Sequence, residues 1–99
     1  MQQTQRLVHQ IPFQRAVLFL QNETEGRIFS VYFRKKDGTM RSMNCRRGVK
    51  KHLRGGDLPY DAKAKRLLPV FDLQVEGYRS VNLNTLVSFN IMSETFIIV

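Results

Sequence analysis

Residues 28–45 read IFSVYFRKKDGTMRSMNC. The stretch from Arg27 to Arg34 is dense in β-branched and aromatic side chains and sets Ile28, Ser30 and Tyr32 against Phe29, Val31 and Phe33, the period-two pattern of a half-buried strand. Lys36, Asp37, Gly38 and Thr39 contain an Asp-Gly pair, which accommodates the positive φ angles of a tight hairpin. From Thr39 to Cys45 the chain returns with Met40, Ser42 and Asn44 alternating against Arg41, Met43 and Cys45. An antiparallel pair of strands is expected, joined by a turn with positive φ at both central residues.

Upstream, Phe13, Ala16, Val17 and Leu20 follow the spacing of one helical face, and Pro12 suits a first helical position, so a helix is expected near 13–21. Val17 to Leu20 also fits a short buried strand. Asn22 to Gly26 (NETEG) supplies a turn. Downstream, Arg46 to Arg54 (RRGVKKHLR) places Val49 and Leu53 one helical turn apart beside rows of basic residues, with Asn44 as a cap and Gly55-Gly56 as a stop. Gly48 weakens that helix, and the whole basic insertion, about 46–66, is long for a small barrel. Leu67–Leu73, Tyr78–Leu83 and Leu86–Met92 then read as strands, Pro69 marking the first as an edge or strand start. Thr95 to Val99 (TFIIV) is an apolar strand or tail that, left bare, would be a sticky edge.

One helix followed by five short antiparallel strands is the element order of a small closed barrel. At 99 residues the chain is one domain, with 1–12 expected as a mobile N-terminal segment, 13–92 as the barrel and 93–99 as the apolar end. The longest apolar run, Ala16–Leu20, is far too short to span a membrane, and Gln2 to Gln5 are polar where a secretory signal turns hydrophobic; a soluble cytoplasmic protein is expected. A single cysteine excludes an internal disulfide, and two isolated histidines form no zinc pattern, so neither metal nor cofactor is expected.

Charge is the most informative feature. Twelve of the sixteen Lys and Arg lie between Arg34 and Arg66, against three acids, a local balance of +9. The rest of the chain holds four bases and five acids. If those cations gather on one exposed patch, they neutralise phosphates at several points, and counterion release then drives nucleic-acid binding without base contacts.

At this point the words resemble a known family. Val31 through Cys45, the later Val70-Phe71-Asp72-Leu73 and Gly77-Tyr78-Arg79-Ser80-Val81-Asn82-Leu83 are similar to small phage and bacterial proteins of the WYL-2 family, over Phe29 to Ile91. The resemblance implies an Sm-like, SH3-type barrel and a phage-encoded origin, hence the host cytoplasm. Broader WYL domains act in nucleic-acid or ligand sensing, but where they carry Trp-Tyr-Leu this chain reads Arg66-Leu67-Leu68, so their aromatic platform is not carried over.

The expected function is non-catalytic binding of RNA or single-stranded DNA. The candidate residues are Arg34, Lys35, Lys36, Arg41, Arg46, Arg47, Lys50, Lys51, Arg54, Tyr60, Lys63, Lys65, Arg66 and Arg79. Tyr60 and one of Tyr32 or Tyr78 are the stacking platforms, while the seven phenylalanines fill the core. Arg41 and Arg79 occupy equivalent places in the two motifs and are candidates to face one groove. The competing readings are a solvated basic face, a module docking on an acidic protein or on a second copy through the C-terminal strand, and a small-molecule sensor with an enclosed pocket. Catalysis has little support: no nucleophile, base and orienting group fall into a recognised arrangement, although Arg46 and Arg47 beside Cys45 would favour a thiolate. Asp37 and Asp72 are assigned turn and strand-end roles.

Overall fold

A computed structural model describes residues 7–48 and 66–99. Strands β1 (Leu7–Ile11), β2 (Ile28–Arg34), β3 (Met40–Arg46), β4 (Leu67–Asp72), β5 (Gly77–Asn82), β6 (Leu86–Ile91) and β7 (Glu94–Ile98) form one sheet, with a single helix α1 (Phe13–Asn22) and a 3-10 turn at Leu83–Thr85. The sheet order is β1-β7-β6-β2-β3-β4-β5. The mainly β fold and the helix position agree with the sequence, but the strand count rises from five to seven. No pairing among the described residues joins β5 back to β1, so the sheet is not closed by hydrogen bonds.

The two added strands lie at the termini, the N-terminal one in place of an expected mobile segment and the C-terminal one where an apolar strand or tail is expected. Leu7–Ile11, expected within a mobile segment, pair in parallel with β7 from Leu7↔Glu94 to Ile11↔Ile98. Only Ile11 of this strand is buried, which explains why its sequence carries no alternation signal. The apolar end becomes β7, and because β6 and β1 occupy both of its edges, the strand addition envisaged there for a second copy is already made within the chain. This covering protects an apolar edge.

Alternation along each strand places the core. Phe29 and Val31 of β2, Met43 and Cys45 of β3, Leu68 and Val70 of β4, Val81 of β5 and Phe89 of β6 point inward and are buried. Ala16 and Leu20, one turn apart on α1, close over them. Phe89 stacks on Phe96 at 4.9 Å and on Phe19 at 5.7 Å. Pro69 fits because β3 pairs with β4 only at Cys45↔Asp72 and Arg46↔Phe71; the part of β4 holding Pro69 has β5 alone as neighbour.

The hairpins differ from the expected turn chemistry. In the β2–β3 turn only Gly38 has positive φ (+89°), Gly38 N–H donates to Lys35 O, and Lys35 N–H to Thr39 O. This is a three-residue loop ending in a left-handed glycine, rather than a two-residue one. The two-residue turn sits instead between β6 and β7, where Ile91 faces Glu94 and both Met92 (φ 51°) and Ser93 (φ 65°) are left-handed. L residues other than Asn, Asp and Gly are disfavoured there. Replacing the pair by Met92→Asn with Ser93→Gly should therefore raise stability by about 1 kcal/mol, read as a higher urea midpoint at unchanged m-value.

Candidate functional site

Asp72 ends β4 on its inward-facing phase, two residues from Val70, and is completely buried. A carboxylate removed from water requires donors and countercharge, and each oxygen finds them. Oδ1 accepts the backbone N–H of Gln74 at 2.9 Å and of Val75 at 3.4 Å, shaping the turn into β5. Oδ2 lies 3.3 Å from Arg41 Nη2 and 3.3 Å from Arg79 Nε. Arg41 and Arg79, on inward phases of β3 and β5, are thus brought together over one acid.

Both guanidinium groups remain partly exposed, and two cations against one carboxylate leave a net positive charge. They line an open cleft of about 370 Å³ with Lys35 and Phe33 at the end of β2, Met43 of β3, and Tyr78 and Ser80 of β5. Tyr78 packs edge-on against Phe71, with ring centroids 5.3 Å apart. β3 and β4 are paired at only two positions, Cys45↔Asp72 and Arg46↔Phe71, so the Arg41 end of β3 extends past the end of β4. The cleft can hold an anionic group against a guanidinium pair whose geometry is fixed in advance.

Among the described residues, the remaining predicted cations sit elsewhere. Arg46 and Arg47 are not the start of a helix: Arg46 is the last residue of β3, and Arg47 bridges to Glu25. Nor does Asn44 cap a helix, since it lies within β3 and accepts from the Ser30 hydroxyl. Gly48 has φ +82°, and a Cβ there would sit 3.1 Å from Gly26 N, so its role is close backbone approach. Arg47 turns inward and donates to Leu20 O at 2.7 Å, Gln21 O at 2.9 Å and Thr24 Oγ1 at 3.2 Å. It satisfies the carbonyls that the end of α1 leaves open, and burial pulls its pKa below the usual guanidinium value. Arg66 covers the Phe13 ring at 5.3 Å and donates to Asn84, beside a second, smaller open groove lined by Phe13, Gln14, Val17 and Leu18. Arg34 and Arg46 point outward from the sheet, opposite to Arg41, and Lys36 is exposed in the hairpin turn. Lys50, Lys51, Arg54, Tyr60, Lys63 and Lys65 lie outside the described residues, as does most of the expected 46–54 helix.

Asp37 accepts the Thr39 hydroxyl at 2.6 Å and its N–H at 2.9 Å, bonds that hold its carboxyl below the usual range. Cys45 corrects the thiolate expectation. Its Sγ donates to Phe29 O at 3.6 Å, and burial, reinforced by the Asp72 charge, pushes the thiol up to about 12. His9 sits away from the cleft, stacked on Phe96 and 2.9 Å from Glu94 Oε1. Among the described residues no group of three His, Cys, Asp or Glu side chains converges to hold a metal, and no helix is long and apolar enough to cross a membrane.

Asp72, which organises the cleft, is the residue whose strand-end role in the sequence understates its place in the structure. The signal was its phase: Val70 and Asp72 alternate with Phe71, which places the acid on the core side. The WYL_2 family model, described as an Sm-like SH3 beta-barrel fold, matches residues 17–87. The chain belongs to this family, and the match runs from within α1 to the start of β6 and includes all the described residues that line the cleft. No curated protein and no solved structure matches it.

Two measurements check this geometry. Arg47→Ala should cost about 1–3 kcal/mol, since buried acceptors lose a charged donor, whereas its exposed neighbour Arg46→Ala should stay within about 0.5 kcal/mol; chemical denaturation separates them. The folded Cys45 thiol keeps its proton up to about pH 12, while the unfolded thiol releases it near 9.0. Its contribution to stability is therefore full below pH 9 and falls as pH rises through that window, by at most ~1.4 kcal/mol per pH unit. The alkaline decline should be shallower in Cys45→Ala.

Proposed function

We propose that this protein binds single-stranded nucleic acid without catalysing a reaction, as a regulatory or accessory factor of phage or bacterial origin. The observation that carries the reading is the Arg41–Asp72–Arg79 arrangement, which presents two ordered guanidinium groups and Lys35 in an open cleft. Phosphates suit such pre-oriented forks, and the aromatic Tyr78 at the rim suits an unstacked base. The buried, protonated Cys45 argues against thiol chemistry. The cleft is open rather than enclosed, which suits an extended ligand.

Fluorescence polarisation with labelled RNA and DNA oligonucleotides across a salt series tests the proposal. Single strands should bind with a log-log slope near −0.7 for each phosphate neutralised, and Arg79→Ala should weaken all sequences alike and flatten the slope by about 0.7. Absence of salt-sensitive binding near ~50 mM salt would exclude the reading. Retained binding to an acidic protein under the same conditions would favour the protein-docking alternative.

A further inference from the structure

The outward face of the sheet carries rows of side chains that strand stability does not explain. Asn44 of β3, Ser30 of β2, Asn90 of β6 and Thr95 of β7 stand in direct register across four strands. Ser30 Oγ donates to Asn44 Oδ1 at 2.7 Å, and Thr95 Oγ1 donates to Asn90 Oδ1 at 2.5 Å. Each amide is thereby oriented through its oxygen, with its N–H₂ donors on the other side of the group. The neighbouring row sets Tyr32 of β2 between Ser42 of β3 and Ser88 of β6. Serines are too small to shield the ring, and Tyr32 is 41% exposed.

Asn is depleted in strands, and β-branched residues such as Thr or Val would favour the pleat more. An ordinary solvated face would mix charges of both signs. Here the outward positions of β2 and β3 end in Arg34 on one side and Arg46 on the other, and among the described residues no Asp or Glu projects from the outward positions of β2, β3, β6 or β7. From Arg46, opposite Ile28, to Arg34 is six residues of β2, or about 20 Å at ~3.3 Å per residue, a span that about four nucleotides cover.

We propose that this face reads bases: a single strand lies along β2 and β3 with phosphates near Arg34 and Arg46, one base stacks on Tyr32, and Asn44 and Asn90 hydrogen-bond base edges. The proposal rests on the nucleic-acid reading and adds sequence preference to it, because phosphate contacts position a strand while base contacts specify it. Charge complementarity, with arginines and no carboxylate among the described outward residues of these strands, selects a polyanion as occupant.

The test uses fluorescein-labelled homopolymers of about twelve nucleotides, oligo(rU), oligo(rA), oligo(rC) and oligo(dT), with the full chain and three variants: Tyr32→Thr, Asn44→Thr with Asn90→Thr, and Arg79→Ala. Threonine is a better strand former than asparagine, so thermal midpoints should hold or rise. The wild-type chain should rank the homopolymers over about tenfold or more in affinity, and Tyr32→Thr should weaken binding by about tenfold. The double asparagine variant should bring the ranking toward equality while leaving the salt slope unchanged. Equal affinities for all homopolymers, or outer-face variants that bind and rank as wild type while Arg79→Ala weakens everything, would overturn base reading and leave the cleft proposal standing. No binding by the wild-type chain would remove both. Comparison of oligo(rU) with oligo(dT) separates RNA from DNA as the preferred strand.

Discussion

A carboxylate with no access to water imposes the constraint from which the site follows. Asp72 sits where β3, β4 and β5 meet, on the inward side of β4. Its two turn N–H donors satisfy one oxygen, and the other requires countercharge from strands whose inward positions are otherwise apolar. Arg41 and Arg79 are the inward residues of β3 and β5 near enough to supply it. A buried ion cluster of this kind adds little net stability once desolvation is counted, but losing one partner leaves an uncompensated charge. The arrangement therefore fixes the two arginines more firmly than surface ion pairs would, and leaves their remaining donors at the mouth of the core.

Strand alternation explains why the described arginines of the basic segment do not share one face. Along β3, Arg41 and Arg46 differ by an odd number of residues, so they occupy opposite faces. Arg47, just past the strand, folds back onto the end of α1 and becomes a structural donor. Net charge in a window of sequence measures the supply of cations, whereas the pleat and the caps decide where each is placed. The described cations of the +9 segment are thus divided between an inner cleft, an outer face, a helix end and the hairpin turn.

The legible parts were those written in local periodicity. The alternation of β2 and β3, the helix face of Ala16 and Leu20, and the later strands all appear in the chain at the residues observed, within a position or two. What stayed hidden depends on partners remote in sequence. β1 has one buried residue and finds its place only by pairing with a strand more than eighty residues away. Arg46 and Arg47 are chemically identical neighbours, and only the end of the strand between them separates surface from cap. The polar rows of Ser30, Asn44, Asn90 and Thr95 are invisible until register is known, because each residue alone is an unremarkable outward position. Asp72 was partly readable, since its phase within Val70-Phe71-Asp72 opposes the ordinary preference of acids for water.

The two surfaces share one hairpin, and its tip connects them. The inner cleft takes Phe33 and Lys35 from the end of β2 and Arg41 and Met43 from β3, while Tyr32, Arg34, Ser42 and Asn44 of the same strands face outward. A strand engaging both surfaces, on the reading proposed, passes around the turn that carries Lys35 and Lys36. That turn is held by Asp37, which accepts from both the hydroxyl and the amide of Thr39, and by the left-handed Gly38. A rigid tip limits how much order must be created on binding, which lowers the entropic cost of wrapping a flexible polymer. The Asp-Gly sequence that identifies the hairpin in the chain is therefore also what would align its inner phosphate contacts with its outer base contacts.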